Sequence, residues 1–155
     1  MDCRHAVHVR ATAEQAFAVL ADLDRWPSFM SALERVRRRG TCAGGILVEL
    51  LERAGGRRDA AVYCVAFEAP SVMRAVQLWG TLRRCAVEWS IRPRPGGARI
   101  DILHRFELGW PVVGPWLDRA VVGPRVVAPI VARTLANFKS LVETGRSPKR
   151  APVPA

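Results

Sequence analysis

The strongest constraint on this fold is a change in hydrophobic period along the chain. Between residues 33 and 108, six segments alternate apolar and polar residues, and Gly or Pro residues separate them. A period of two predicts half-buried strands, and short Gly/Pro connections predict antiparallel neighbours. The six predicted strands are Leu33–Thr41, Ile46–Arg53, Asp59–Glu68, Val72–Trp79, Arg83–Arg92 and Arg99–Leu108.

Helical patterns flank these strands. An alternating segment over His5–Arg10 predicts one earlier strand, and Thr12 with Gln15 forms a capping-box pattern that predicts a helix start. A second short helical turn is predicted over Trp26–Met30. The last long pattern, Trp116–Thr144, has apolar residues at helical spacing, and two prolines are expected to kink its first half.

This order predicts an α+β fold with a sheet of seven antiparallel strands. One face of that sheet is apolar and must be covered, and only the final helix is long enough to cover it. The length of 155 residues suits one domain, which we place at residues 1–144. Residues 145–155 contain three prolines and three basic residues, and we expect a disordered tail there.

Charge and composition indicate which classes of binding partner the protein can have. Lys and Arg total 24 against 14 Asp and Glu, a net charge of +10, and only two of the cations are lysine. The arginines are scattered and no aromatic ladder accompanies them, so we expect no nucleic-acid partner. The sequence shows no signal-peptide pattern and no apolar run of membrane-spanning length. We therefore expect a cytoplasmic protein without membrane contact.

The four cysteines carry no metal or disulfide signature. Cys3, Cys42, Cys64 and Cys85 form no CxxC motif, and none has metal-ligand spacing to a histidine. Cys64 and Cys85 lie in apolar strand patterns, where a free cysteine behaves as a small hydrophobic residue. We expect four free thiols in a reducing cytosol, no metal and no cofactor.

Several stretches together resemble the START-like (SRPBCC) superfamily, and most closely its polyketide cyclase/dehydrase branch. The resemblance covers about residues 4–144 and rests on the helix and turn ending in Trp26-Pro27 and on the end of the last helix. The matching stretches are residues 12–17, 20–27, 88–93, 106–108 and 134–143. The resemblance implies a helix-grip (START/Bet v 1-like) fold. In this fold a curved sheet wraps around a long C-terminal helix, and a hydrophobic cavity lies between them.

Within that cavity we expect His104 to be the catalytic group. Strand parity puts His104 on the buried face between Ile102 and Phe106, where burial keeps an imidazole neutral. Flat rings suit a planar ligand, and a hydroxyl on the gripping helix could orient a ligand oxygen. The candidate ligand-binding residues are Trp26, Trp89, Thr134, Gln77, Phe106 and Met30. Parity alone leaves the facing of Arg74, Gln77 and Tyr63 open.

The chain departs from the aromatases it resembles. Those proteins carry an arginine on the middle strands and a tyrosine after the Trp-Pro turn, whereas this chain has Val or Phe and Leu33 there. Two interpretations therefore stay open. One is a polyketide cyclase/aromatase that promotes aldol closure and dehydration, with an acyl carrier protein as partner. The other is a non-catalytic carrier of a hydrophobic ligand such as a lipid or quinone. Both leave open a monomer or a homodimer.

Overall fold

The fold is taken from a computed structural model, which describes residues 2–54, 56–107, 118–146 and 148. The first elements are β1 (Asp2–Val9), α1 (Ala13–Ala21), a 3₁₀ turn (Leu23–Arg25) and α2 (Trp26–Phe29). Six strands follow: β2 (Leu33–Cys42), β3 (Gly45–Ala54), β4 (Arg57–Glu68), β5 (Val72–Trp79), β6 (Arg84–Arg94) and β7 (Gly97–Glu107). A π-helix (Asp118–Val127) leads into α3 (Ala128–Thr144). Between the last predicted strand and the final helix, the sequence also predicts a loop at Trp110–Pro115. This loop and most of the predicted tail lie outside the described residues.

The strands form one antiparallel sheet in the order β1-β7-β6-β5-β4-β3-β2. Strands β2 to β7 are therefore a meander, and β1 returns to pair with β7. The predicted seven-stranded α+β helix-grip fold is confirmed. Because side chains alternate along each strand, the register decides which residues face α3.

The two short helices have local signals that specify them. The Thr12 hydroxyl accepts from the Gln15 amide (3.1 Å), and the Gln15 side chain accepts from the Thr12 amide (3.0 Å). This reciprocal pair is the predicted capping box and it begins α1. The Trp26 indole N–H donates to the Leu20 carbonyl (2.8 Å), which ties the start of α2 to the end of α1.

The long predicted helix is divided. Pro124 lies inside the π-helix, and Pro129 lies in the first turn of α3. Proline lacks the amide that an α-helical interior needs, which explains why the regular α-helix begins only at Ala128. It ends at Thr144, and Gly145, with a φ of 68°, supplies the left-handed cap. No helix in the described part of the chain has the length and hydropathy needed to cross a bilayer.

The core is centred on three rings that join α2, β6 and α3. Phe138 packs edge-to-face on Phe29 (5.1 Å between centroids) and on Trp89 (5.2 Å). Phe29 and Trp89 also meet edge-to-face at 6.1 Å. Such pairs add to the hydrophobic gain of burial. This ring cluster (Phe29, Trp89 and Phe138) fixes α3 against the inner face of the sheet.

The expectation of four free thiols is wrong for one pair. Cys42 and Cys64 form a disulfide with 5.9 Å between their Cα atoms, while Cys3 and Cys85 are free and buried. Cys64 lies on the face of β4 opposite the buried residues, so it is not a core hydrophobe. The two cysteines meet because the β2–β3 hairpin returns Cys42 to β4, which their spacing in sequence does not show. Gly45 permits this approach, since a Cβ there would collide with the Val65 carbonyl oxygen.

We predict that the double variant Cys42→Ser/Cys64→Ser is less stable than the oxidised protein. Closing a loop of 22 residues removes unfolded-state entropy worth about 3 kcal/mol. Urea unfolding under non-reducing conditions measures the difference. Reductant should lower the stability of the parent protein and leave the double variant unchanged. Equal stabilities would show that the disulfide contributes nothing.

Candidate ligand-binding cavity

A cavity of about 160 Å³ lies between the inner face of the sheet, α2 and α3. Most of its lining is apolar, which suits a hydrophobic ligand. The lining residues are Trp26, Met30, Ala32, Leu33, Leu50, Glu52, Tyr63, Met73, Ala75, Leu82, Cys85, Val87, Trp89, Ile102, His104, Ile130, Val131 and Thr134.

One wall is made of large side chains held in fixed positions. Trp26 is 1% exposed and is oriented by its bond to the Leu20 carbonyl. Trp89 is 2% exposed and is held by the ring cluster. Met30 completes this wall. Rings that cannot turn away offer a rigid surface for a planar ligand.

The polar lining is contributed mainly by four strands. Glu52 lies on β3, Tyr63 on β4, Cys85 on β6 and His104 on β7. The Tyr63 hydroxyl donates to Cys85 Sγ (3.6 Å), and Cys85 Sγ lies 3.2 Å from His104 Nε2. We call these four residues the polar wall. No group of three or more His, Cys, Asp or Glu side chains among the described residues could hold a metal ion.

Burial keeps the His104 imidazole and the Cys85 thiol neutral. Desolvation lowers the pKa of His104 to about 4 and raises the pKa of Cys85 to about 11. The direction of the hydrogen bond between Cys85 Sγ and His104 Nε2 depends on which ring nitrogen carries the imidazole proton. When Nε2 donates to Cys85 Sγ, the lone pair of Nδ1 is left free to accept a proton. Proton transfer from thiol to imidazole would oppose both shifts, so the pair is not a thiolate–imidazolium ion pair.

Burial and nearby negative charge act on the other two groups. Desolvation raises the pKa of the Tyr63 phenol, and the charge of Glu52 raises it further. Desolvation also raises the pKa of the Glu52 carboxyl, with a smaller contribution from Asp59. Burial thus acts toward the protonated form of both groups. The Tyr63 O–H is already directed at Gln77 and Cys85, whereas a protonated Glu52 has an O–H to donate to a ligand.

Five of the seven predicted site residues line the cavity: His104, Trp26, Trp89, Met30 and Thr134. Thr134 does so with its hydroxyl already engaged. That hydroxyl accepts from the Ser31 amide (3.1 Å) and lies 3.3 Å from the Ser31 hydroxyl. This contact joins α3 to the segment after α2, so Thr134 stabilises the helix position whether or not it meets a ligand.

Gln77 and Phe106 are not in the lining. The Gln77 side chain accepts from the Tyr63 hydroxyl (3.3 Å) and donates to the Leu82 carbonyl (2.8 Å), so Tyr63 separates it from the cavity. Phe106 is buried and packs edge-to-face on His104, with 5.7 Å between ring centroids. Arg74, whose facing was open, lies on the outer face and pairs with Glu68 and Glu88. Trp79 is 64% exposed.

The sequence interpretation missed Glu52 as a site residue and left open which face of the sheet carries Tyr63. In both cases strand parity already indicated the inner face. Glu52 shares its strand parity with the buried residues Val48 and Leu50, and Tyr63 shares its parity with Val65. Cys85 was placed on the inner face, but only as a small hydrophobe. A polar residue within an apolar alternation is the pattern that marks such positions.

The fold and cavity together define a helix-grip protein with a largely apolar internal cavity. The chain belongs to the family described as polyketide cyclase / dehydrase and lipid transport, whose family model matches residues 2–143. A comparison with curated protein sequences finds no match.

Solved structures with the same fold are distant in sequence. TTHA0849 from Thermus thermophilus is 17% identical with a TM-score of 0.79, over 92% of this chain and 97% of that one. The Zhui aromatase/cyclase from Streptomyces sp. R1128 is 20% identical with a TM-score of 0.73, over 96% and 99%. A START superfamily protein from Mycobacterium smegmatis is 18% identical with a TM-score of 0.69, over 94% and 96%. These similarities show the fold.

We predict that His104 makes the folded protein less stable in mild acid. The unfolded imidazole gains a proton near pH 6.5, whereas the folded one gains it near pH 4. Stability from this residue is complete above about pH 6.5 and is lost as the pH falls to about 4, by a total of about 3 kcal/mol.

Urea unfolding of the parent protein and His104→Gln between about pH 7.5 and pH 4.5 measures this contribution. All other ionisable groups are common to the two proteins, so the difference between the two curves isolates His104. The difference should change steadily with pH over this range. Parallel curves would show that the folded and unfolded imidazoles titrate alike.

Proposed function

We propose that this protein binds a hydrophobic, carbonyl-rich molecule of polyketide type and promotes its cyclisation and dehydration by acid–base catalysis. The observation that carries the proposal is the mixed lining of the cavity. Trp26, Trp89 and Met30 contribute apolar surface held in place by the core, and the members of the polar wall line the same space. Such a cavity can hold a flexible chain in a folded conformation and present a proton acceptor to it.

His104 is the acid–base group in this proposal. A neutral imidazole removes a proton from a carbon between two carbonyls, and the resulting enolate carbon forms a C–C bond to a distant ketone carbon. The imidazolium returns its proton to the new alkoxide. Loss of that hydroxyl and of a second α-proton releases one water and leaves the ring conjugated. The low pKa of His104 favours rapid return of the proton within the cavity.

The cavity size supports a small cyclic product. An apolar cavity of about 150 Å³ is enough for benzene. The volume of about 160 Å³ here therefore suits one aromatic ring with short substituents. A linear tetraketone of nine carbons, with ketones on alternate carbons, closes to a dihydroxy-methylacetophenone with loss of one water. It is a suitable probe.

We predict that the parent protein accelerates closure of this tetraketone and that His104→Gln lowers the accelerated rate roughly a hundredfold or more, the usual contribution of a general acid–base group. Product formation is followed by chromatography against the spontaneous reaction. The matched control is His8→Gln, because His8 lies exposed on β1. Equal rates for His104→Gln and the parent protein would contradict the proposal.

A non-catalytic carrier is the second candidate, and the largely apolar lining favours it. For that function the protein should bind hydrophobic molecules tightly and leave the tetraketone rate at its spontaneous value. The cyclase proposal includes an acyl carrier protein as the source of substrate and a cytoplasmic setting. Thiols are kept reduced in the cytoplasm, so the Cys42–Cys64 disulfide would be open in that compartment. A cytoplasmic protein should therefore stay folded in reducing buffer.

A further inference from the structure

We propose that Glu52 is a ligand-binding group that donates a hydrogen bond from a protonated carboxyl to a carbonyl oxygen of the ligand. The site would then select neutral ketones over hydrocarbons and over anions. This inference rests on the proposed function, since it assigns the group that polarises the ketone during ring closure.

The strand register directs Glu52 into the cavity. It lies on the face of β3 that carries Val48 and Leu50, which are both buried. Its neighbours across the sheet are Leu33 on β2 and Asp59 on β4. Glu52 and Leu33 both line the cavity. The carboxyl is thus part of an inner surface that is otherwise largely apolar.

No protein group within the described residues forms a hydrogen bond or ion pair with the Glu52 carboxyl. Two nearby arginines are engaged elsewhere: Arg53 (2.7 Å) and Arg58 (3.0 Å) both pair with Glu34. No described lining residue is Lys or Arg. Because the carboxyl lines the cavity, a ligand oxygen can provide the hydrogen-bond partner that the protein does not.

The surroundings of Glu52 favour its protonated form. Burial raises the pKa of the carboxyl, and the negative charge of Asp59 acts in the same direction. A protonated carboxyl has an O–H to donate, whereas a carboxylate only accepts.

These features specify the charge of the ligand. An anion would enter a cavity whose described lining has no cation and would lie near a carboxyl. A hydrocarbon would leave the Glu52 hydroxyl without a partner. A neutral ketone satisfies the hydroxyl and places its carbonyl carbon near the polar wall. The other polar-wall member with acid–base chemistry, His104, then acts on the adjacent C–H bond.

The test compares indanone with indane, which differ by one carbonyl and fit the volume of the cavity. Binding is measured by calorimetry on the parent protein, Glu52→Gln and Glu52→Leu, with Glu49→Gln as the control. Glu49 lies on the same strand and pairs with Arg39 on the outer face. The parent should prefer indanone by roughly threefold to tenfold, the value of one neutral hydrogen bond.

Glu52→Leu should abolish this preference, and Glu52→Gln should retain most of it because an amide N–H can also donate. The infrared carbonyl stretch of indanone bound to the parent protein should lie below its frequency in hydrocarbon solvent, a readout that needs no variant. The proposal is overturned if the parent shows no preference for indanone, if Glu52→Leu keeps the preference, or if indane carboxylate binds more tightly than indanone at neutral pH.

The outcomes separate this inference from the proposed function. A parent protein that selects indanone through Glu52 but leaves the tetraketone at its spontaneous rate would retain the Glu52 role and reject the cyclase. Tetraketone closure that depends on His104, with no Glu52-dependent selection of indanone, would retain the cyclase and reject the Glu52 role.

Discussion

The packing of α3 against the inner face of the sheet is the contact on which the rest of the structure depends. The ring cluster holds the middle of the helix, and the Ser31–Thr134 hydrogen bonds hold its first half to the segment after α2. Buried aromatic contacts of this kind contribute much of the stability of a small core. Because α3 is held at these points, the space beside its first turns stays open between Ile130, Val131 and the strands.

The chemistry of the cavity follows from low polarity more than from charge. Each member of the polar wall is shifted toward its neutral form, and desolvation is the leading cause in every case. Neutral donors and acceptors tolerate an apolar setting that unpaired charges would not. The wall therefore presents neutral donors and acceptors to the cavity, and no described residue of the lining is Lys or Arg.

Much of the fold could be predicted from the sequence because its signals are local. Alternation identified the strands, and the Thr12–Gln15 pair identified the start of α1. The interior was predicted where parity was unambiguous, as for Trp89 and His104. Thr134 needed more than parity, since its bond to Ser31 depends on how α2 and α3 meet.

The remaining features depend on three-dimensional pairing. A register shift between Val62 and Tyr63 changes how β4 meets β5, and this places Gln77 behind Tyr63. The Cys42–Cys64 bond joins positions 22 residues apart that only a hairpin brings together. Glu52 was overlooked for a different reason. The alternation of β3 already placed Glu52 on the same face as Val48 and Leu50. A single carboxyl in a strand is usually assigned to the solvent side, however, and only the cavity shows that the Glu52 side chain faces inward.

The disulfide bears on the interior even though it lies on the opposite side of the sheet. It links the end of β2 to β4 beside β3, the strand that carries Glu52. A slip of one residue in a strand exchanges its two faces. A covalent tie across this edge resists such a slip, and with it the loss of the inward carboxyl to solvent. The oxidation state of Cys42 and Cys64 thereby affects the position of Glu52 through the register of the strands.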